Sequence, residues 1–328
     1  MKKIVYGTAF VSSLFLFALT TGAVQSQGKQ QKQDVCDRAC LDGFVDQYLA
    51  ALTAHDPSRL PATPNAKFTE NNVVLKLGDG LWQTATGLGT FKLTNVEPES
   101  SQIGAIVVVK ENGDDALMAL RLKIEGRRIR EIETLVARQG EGQTLNFDLL
   151  KQPLPVLLEN VPSDDRLSLK ELVLIVDKYF DAIEQSNGSI VAFADDAFRI
   201  ENGIRTCNDP SNAPGAGASG MTGLRSIKCA DQLSTRIFSY IKSIEPRRYV
   251  VVDRERGLVL GIFRFNHPGN IISVEVAGRG TVDMRKNAWA KNPTSAAIAE
   301  LFKVQDRKIQ RVMAVIVKVP YRMPSGWE

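Results

Sequence analysis

The stretch VDQYLAAL at residues 45–52 is repeated in outline by VDKYFDAI at residues 176–183, with Val, Asp, Tyr and Ala in the same places. Around the first stretch, Leu41, Phe44, Val45, Tyr48, Leu49 and Leu52 recur at helical spacing and make one apolar stripe. Adding 131 to each number gives Leu172, Ile175, Val176, Tyr179, Phe180 and Ile183, so the whole stripe is duplicated. The correspondence runs without a gap to FTENN at 68–72 and RIENG at 199–203, where Glu70 meets Glu201 and Asn71 meets Asn202. Unrelated amphipathic helices share a stripe easily, but not its distance to a following Glu-Asn pair. The chain reads as one fold written twice.

The order of later phrases points the same way. NVEP (95–98) resembles SIEP (243–246), IVVV (106–109) resembles YVVV (249–252), ALRL (119–122) resembles IFRF (262–265), and RRIREIETLVAR (127–138) resembles RKIQRVMAVIVK (307–318). Each copy is a long helix, short turns and then β-branched strands. The fold class is therefore α+β: two tandem domains, each with N-terminal helices on a mainly antiparallel sheet; their cone shape and the curve of the sheet are what the resemblance described below implies. Ser168 and Glu171 form a capping box that starts the second long helix. The second copy is longer by two insertions, a loop flanked by Cys207 and Cys229 and a block from about 268 to 304. The expected boundaries are a leader at 1–26, a spacer at 27–35, a first domain at 36–138, a linker at 139–165 and a second domain at 166–328. The LPVLL of the linker is too apolar for a free tether and is expected to pack on a domain.

The leader expectation comes from MKK followed by an apolar run that ends in small residues, the form of a secretory signal. It places the mature protein in the periplasm or outside the cell, with no membrane span. The net charge of +4 includes Lys2 and Lys3. The remaining basic doublets are scattered rather than gathered in a stripe, which argues against a nucleic-acid partner. Four cysteines in an exported chain allow three pairings. The reading favours Cys36 with Cys40 and Cys207 with Cys229. Residues four apart in a regular helix are too far separated for a disulfide, so Cys36 must lie in a distorted first turn or before it.

The helix with Tyr inside, the HDP turn, the FTEN strand and the strand run ending in IREIETLVAR resemble the nuclear transport factor 2-like fold, which includes SnoaL-like polyketide cyclases. More narrowly, FTENN with LGDGLW, and ELFKV with VPYRMPSGW, resemble an uncharacterised domain family of exported bacterial and fungal proteins. The resemblance implies a conical cavity in each copy, holding a small apolar ligand, a catalytic site or only core.

Candidate chemistry is sparse. His55 lies in AHDPS, where Asp56 and Pro57 suit a turn. In GIFRFNH, alternation puts Phe263, Phe265 and His267 on one face, so His267 is a candidate general acid or base. Glu201, supported by Tyr179 or Asn202, is the other candidate base, with an Asx-type turn as its bland alternative. Tyr48, Glu70 and Trp82 are candidate ligand contacts in the first cavity, and Phe263 and Phe265 in the second. Arg121 and Arg264 recur and are expected in ion pairs. PGAGASGMTG reads as a flap. No phosphate loop, nucleophile elbow or metal-type spacing occurs, so neither cofactor nor metal is expected. Three functions remain open: an exported binding protein for a small apolar or aromatic molecule, a cofactor-independent lyase or isomerase, and a structural protein with filled cavities. A homodimer through the sheet faces is the expected self-association.

Overall fold

Asp37 sets the first boundary. Its side chain accepts a hydrogen bond from the Cys40 amide and starts helix α1 (Arg38–Thr53), leaving Cys36 just outside the helix. From there Cys36 reaches Cys40, with Cα atoms 5.3 Å apart, and Cys207 pairs with Cys229. The computed structural model describes residues 1, 3, 36–140, 144–212 and 222–328. The expected leader and spacer lie outside the described residues, as does most of the expected flap. Among the described residues no helix is long and apolar enough to cross a membrane.

The first copy continues through β1 (Ala62–Glu70), β2 (Val73–Leu75), the one-turn α2 (Leu81–Thr84), β3 (Ala85–Glu97), β4 (Gln102–Glu111), β5 (Asp114–Glu125) and β6 (Arg128–Ala137). The turn α3 (Pro155–Leu158) leads to α4 (Leu169–Gln185), capped by the Ser168–Glu171 box as expected. The second copy then runs through β7 (Phe193–Glu201), β8 (Ile204–Cys207), α5 (Cys229–Ser234), β9 (Ser243–Asp253) and β10 (Leu258–His267). It closes with a separate hairpin, β11 (Ser273–Val276) and β12 (Gly280–Asp283), followed by β13 (Thr294–Gln305) and β14 (Lys308–Val319). The sheets have the same order, β2-β1-β6-β5-β4-β3 and β8-β7-β14-β13-β10-β9. Among the described residues, only the β1–β6 and β7–β14 pairs are parallel. The molecule is α+β, two sheet-based domains in tandem.

The shared order corrects the strand correspondence. The matched phrases of β6 and β14 coincide, since Glu70 pairs with Thr134 and Glu201 with Ala314. IVVV lies on β4 whereas YVVV lies on β9, the counterpart of β3; ALRL lies on β5 whereas IFRF lies on β10, the counterpart of β4. NVEP and SIEP fall at opposite ends of β3 and β9. Arg121 and Arg264 are therefore not equivalent. AAIAELFKV is not inserted material either: it is β13, the counterpart of β5, and the true insertion is the β11–β12 hairpin with its flanks.

Alternation along each strand feeds two cores. On β5, Met118, Leu120 and Leu122 face the α1 stripe, while Leu117 and Ala119 face the other domain. On β13, Ile298, Phe302 and Val304 face α4, while Ala297, Ala299 and Leu301 face back. The two sheets thus share one apolar layer, in which Leu145, Leu150 and Leu157 of the linker are also buried. The faces expected to support a homodimer cover each other within one chain. At Gly104 a Cβ would stand 2.3 Å from Leu260 Cδ2 across this layer, so the contact requires glycine there.

Polar groups fix the relative position of the sheets. The buried Glu133 carboxylate accepts from Arg121 Nε at 2.9 Å within its own sheet and from Arg248 of the other at 2.7 and 3.0 Å. Arg38 holds Asp253, which in turn accepts from the Val96 amide, and the Asn95 amide donates to Val251 O. The C-terminal strap crosses back to the first domain, where Trp327 Nε1 donates to Thr69 Oγ1 at 2.8 Å and Lys67 and Arg121 lie over its ring.

Two outcomes follow. Because the domains share a core, urea unfolding monitored by fluorescence and circular dichroism should show one transition, and Glu133→Ala should lower stability by about 1.5–3 kcal/mol by removing the buried carboxylate that joins Arg121 to Arg248, while Arg121 keeps Glu131 and Gln102. Replacing Cys207 and Cys229 together by Ala should cost about 3 kcal/mol in the same assay, against about 2 kcal/mol for the tighter Cys36–Cys40 loop.

Candidate functional site

The repeated Asn explains itself first. Asn71 and Asn202 both take positive φ, 49° and 48°. Each side chain then pairs like a peptide with the neighbouring parallel strand. Asn71 Nδ2 donates to Val136 O and its Oδ1 accepts from Val136 N, and Asn202 does the same with Ile316. Asn202 is thus engaged with backbone, not aimed at a ligand.

The Glu beside it behaves differently in the two copies. Glu70 is buried, accepts from the Leu81 amide that opens α2, and pairs with Arg138 at 3.1 Å; Arg138 also pairs with Glu111 at 2.6 Å. Helix α2 brings in Trp82, which is 1% exposed and meets Tyr48 edge-on at 5.3 Å. Tyr48, Glu70 and Trp82, expected to contact a ligand, instead fill and close the first cone.

In the second copy the register puts Arg199 where the first has Phe68, Glu300 where it has Leu120, His267 where it has Glu111 and Lys318 where it has Arg138. A chamber of about 130 Å³ remains. Ile183, Phe265 and Ile298 supply apolar wall, and Tyr179, Arg199, Glu201, Glu300, Tyr240 and His267 supply polar groups. Of the residues expected here, Tyr179, Glu201, Phe265 and His267 meet at the chamber. Phe263 does not line it; its ring packs on Phe180 with centroids 4.1 Å apart.

Arg199, 1% exposed, organises the polar side. It donates to the Tyr179 hydroxyl at 3.1 Å and to Gln232 Oε1, and its Nε stands 3.4 Å from Glu201. Glu300 is fully enclosed, with the Tyr179 hydroxyl as its hydrogen-bond partner and no partner for Oε2 among the described residues. Burial, reinforced by the Glu201 charge, pushes its carboxyl up to about 8. Burial and the nearby Lys318 ammonium push the His267 imidazole down to about 4, and its Nδ1 has no partner among the described residues. At neutral pH the chamber therefore holds a neutral imidazole, a largely protonated carboxyl and an Arg–Glu ion pair.

The outer wall comes from insertions that no periodic pattern marked. Phe238 and Tyr240 follow α5, and Trp289 follows the β11–β12 hairpin. Tyr240 and Trp289 place their rings 5.3 and 6.3 Å from His267. Glu300 and Arg199 had a signal. Glu300 shares the α4-facing side of β13 with Ala296, Ile298 and Phe302, and Arg199 takes the place of Phe in the FTEN/RIEN correspondence. His55, by contrast, sits in the expected turn, where Asp56 caps Pro57–Arg59. Among the described residues no cluster of metal-type side chains occurs.

Residues 165–316 match the model of a family described as a domain of unknown function (DUF8021). No curated protein matches the chain. Among solved structures the chain is similar to a de novo designed protein with a curved β-sheet, at 14% identity over 30% of this chain and 87% of that one, TM-score 0.27. It is similar also to a protein of unknown function with a cystatin-like fold from Methylobium petroleophilum PM1, at 13% identity over 33% and 84%, TM-score 0.27. A protein from Sphaerobacter thermophilus aligns at 12% identity over 29% and 94%, TM-score 0.25.

Proposed function

We propose that this is an exported tandem protein of the nuclear transport factor 2-like, SnoaL-like kind, whose second domain binds a small, mainly apolar molecule. One observation carries the reading. The second cone keeps a chamber of about 130 Å³ with converging polar groups, where the first is filled by Trp82. An apolar cavity of roughly 150 Å³ is enough to take up benzene, so the inner chamber suits a single ring or a short branched chain. The polar wall suits one carbonyl or hydroxyl on that ring, with the protonated Glu300 carboxyl, whose Oε2 has no partner among the described residues, as donor. A specific observation favours a second reading, a cofactor-independent lyase or isomerase: Glu300 holds a proton near neutral pH beside that same chamber.

The binding reading is tested by thermal unfolding with benzene, phenol and cyclohexanone. At least one should raise Tm by a few degrees in the wild type and leave Ala296→Phe, which pushes a ring into the chamber, unshifted. Equal shifts in both proteins, or none in either, would sink it. Turnover of a ketone or aromatic substrate by the wild type, lost in Glu300→Gln, would decide for the enzyme.

The buried titrating groups give a second outcome. His267, depressed from about 6.5, favours the folded state fully above that pH and loses its contribution as pH falls toward 4. Glu300, raised from about 4.5, contributes fully below that pH and loses its contribution as pH climbs through 8. The two slopes oppose one another between about 4.5 and 6.5. From pH 6.5 to 8 only Glu300 acts, so the wild type should lose about 1–2 kcal/mol there, and Glu300→Gln should remove that decline in urea titrations at the two pH values.

A further inference from the structure

Glu201 and Trp289 line the inner chamber. Both residues also line two outer recesses, of about 270 and 330 Å³, which share Thr206 and Arg225 as well. Arg225 is half-buried, and no hydrogen bond or ion pair engages its guanidinium among the described residues. The Thr206 hydroxyl is buried and has no hydrogen-bond partner among the described residues.

The segment that carries Arg225 is held firmly. Its backbone carbonyl accepts from the Asp209 amide at 2.8 Å, and the Ile227 carbonyl accepts from Asn208. Gln232 Nε2 donates to both Thr206 O and Leu224 O, tying strand β8 to this turn. The Cys207–Cys229 disulfide closes the same loop. A cation and a hydroxyl are thus fixed in recesses that share Glu201 and Trp289 with the chamber, both with hydrogen-bonding capacity unused among the described residues.

We infer that the outer recess is an anion subsite, in which Arg225 and Thr206 hold the carboxylate of a small monocarboxylic acid whose apolar body passes Trp289 into the inner chamber. The inference rests on the binding function proposed above and names its ligand class. A guanidinium offers a planar pair of donors that matches a carboxylate. The charge balance fits one negative charge. Arg199 and Glu201 cancel as an ion pair at 3.4 Å, leaving Arg225 as the cation without a counter-charge among the described lining residues. The Glu300 carboxyl, pushed up to about 8 by burial, adds little negative charge at neutral pH.

Calorimetric titration at pH 7 with 3-phenylpropionate and phenylacetate, each against its amide, tests this. The acids should bind at least about tenfold tighter than the amides, and Arg225→Gln should abolish that preference while leaving amide binding within about twofold. Arg225→Lys should restore part of it. Equal affinity of acid and amide for the wild type, or a preference that survives in Arg225→Gln, overturns the carboxylate subsite and leaves the chamber reading standing. Absence of binding by both acids and amides overturns the two together.

Discussion

Everything else in the molecule depends on one apolar layer between two sheets. Each sheet has a helix on one face and needs cover on the other, and the chain meets that need by packing its two sheets face to face. A sheet face is too large an apolar surface to leave in water, so the tandem arrangement makes each domain the other's solvent shield. The shared layer explains why Gly104 opposes Leu260, why the linker's leucines are buried, and why the Arg121–Glu133–Arg248 ion pairs sit dry at its edge.

The same layer decided what was readable in the sequence. The duplicated helices were legible because one face of each is wet, and the 3.6-residue stripe survives. The Glu-Asn pair was legible because Asn71 and Asn202 perform one backbone-pairing task in both copies. The middle strands were not. IVVV and YVVV are continuous apolar runs on buried stretches of β4 and β9, where alternation between apolar and polar residues disappears. Without it, one β-branched run resembles another, and the phrases were matched to the wrong strands. For the site, alternation on β10, kept visible by Arg264 and Asn266, put Phe263, Phe265 and His267 on one face; Phe265 and His267 line the chamber, and Phe263 packs on Phe180. Tyr240 and Trp289 were illegible because irregular inserted segments carry them, and their position depends on tertiary packing alone.

The two copies have diverged along a consistent line. In the first, Phe68, Leu120 and Trp82 make the cone a core, and Arg138 locks Glu70 to Glu111 across its mouth. In the second, Arg199 and Glu300 replace two of those apolar residues, and burying them is costly unless they are satisfied. Satisfaction is partial: Tyr179, Gln232 and Glu201 serve Arg199, but Glu300 Oε2 and His267 Nδ1 remain without partners among the described residues. A cone serving only as core would lose nothing by keeping Phe and Leu at those two positions. On the binding function proposed above, these under-satisfied polar groups around a void are what the site costs in stability. The insertion supplies the rest, since its own small core around Ile237, Val274 and Met284 holds the wall that turns an open cone into a chamber with a mouth. The filled cone of the first domain and the layer it shares with the second sheet then form one continuous packed support beneath the domain that keeps the chamber.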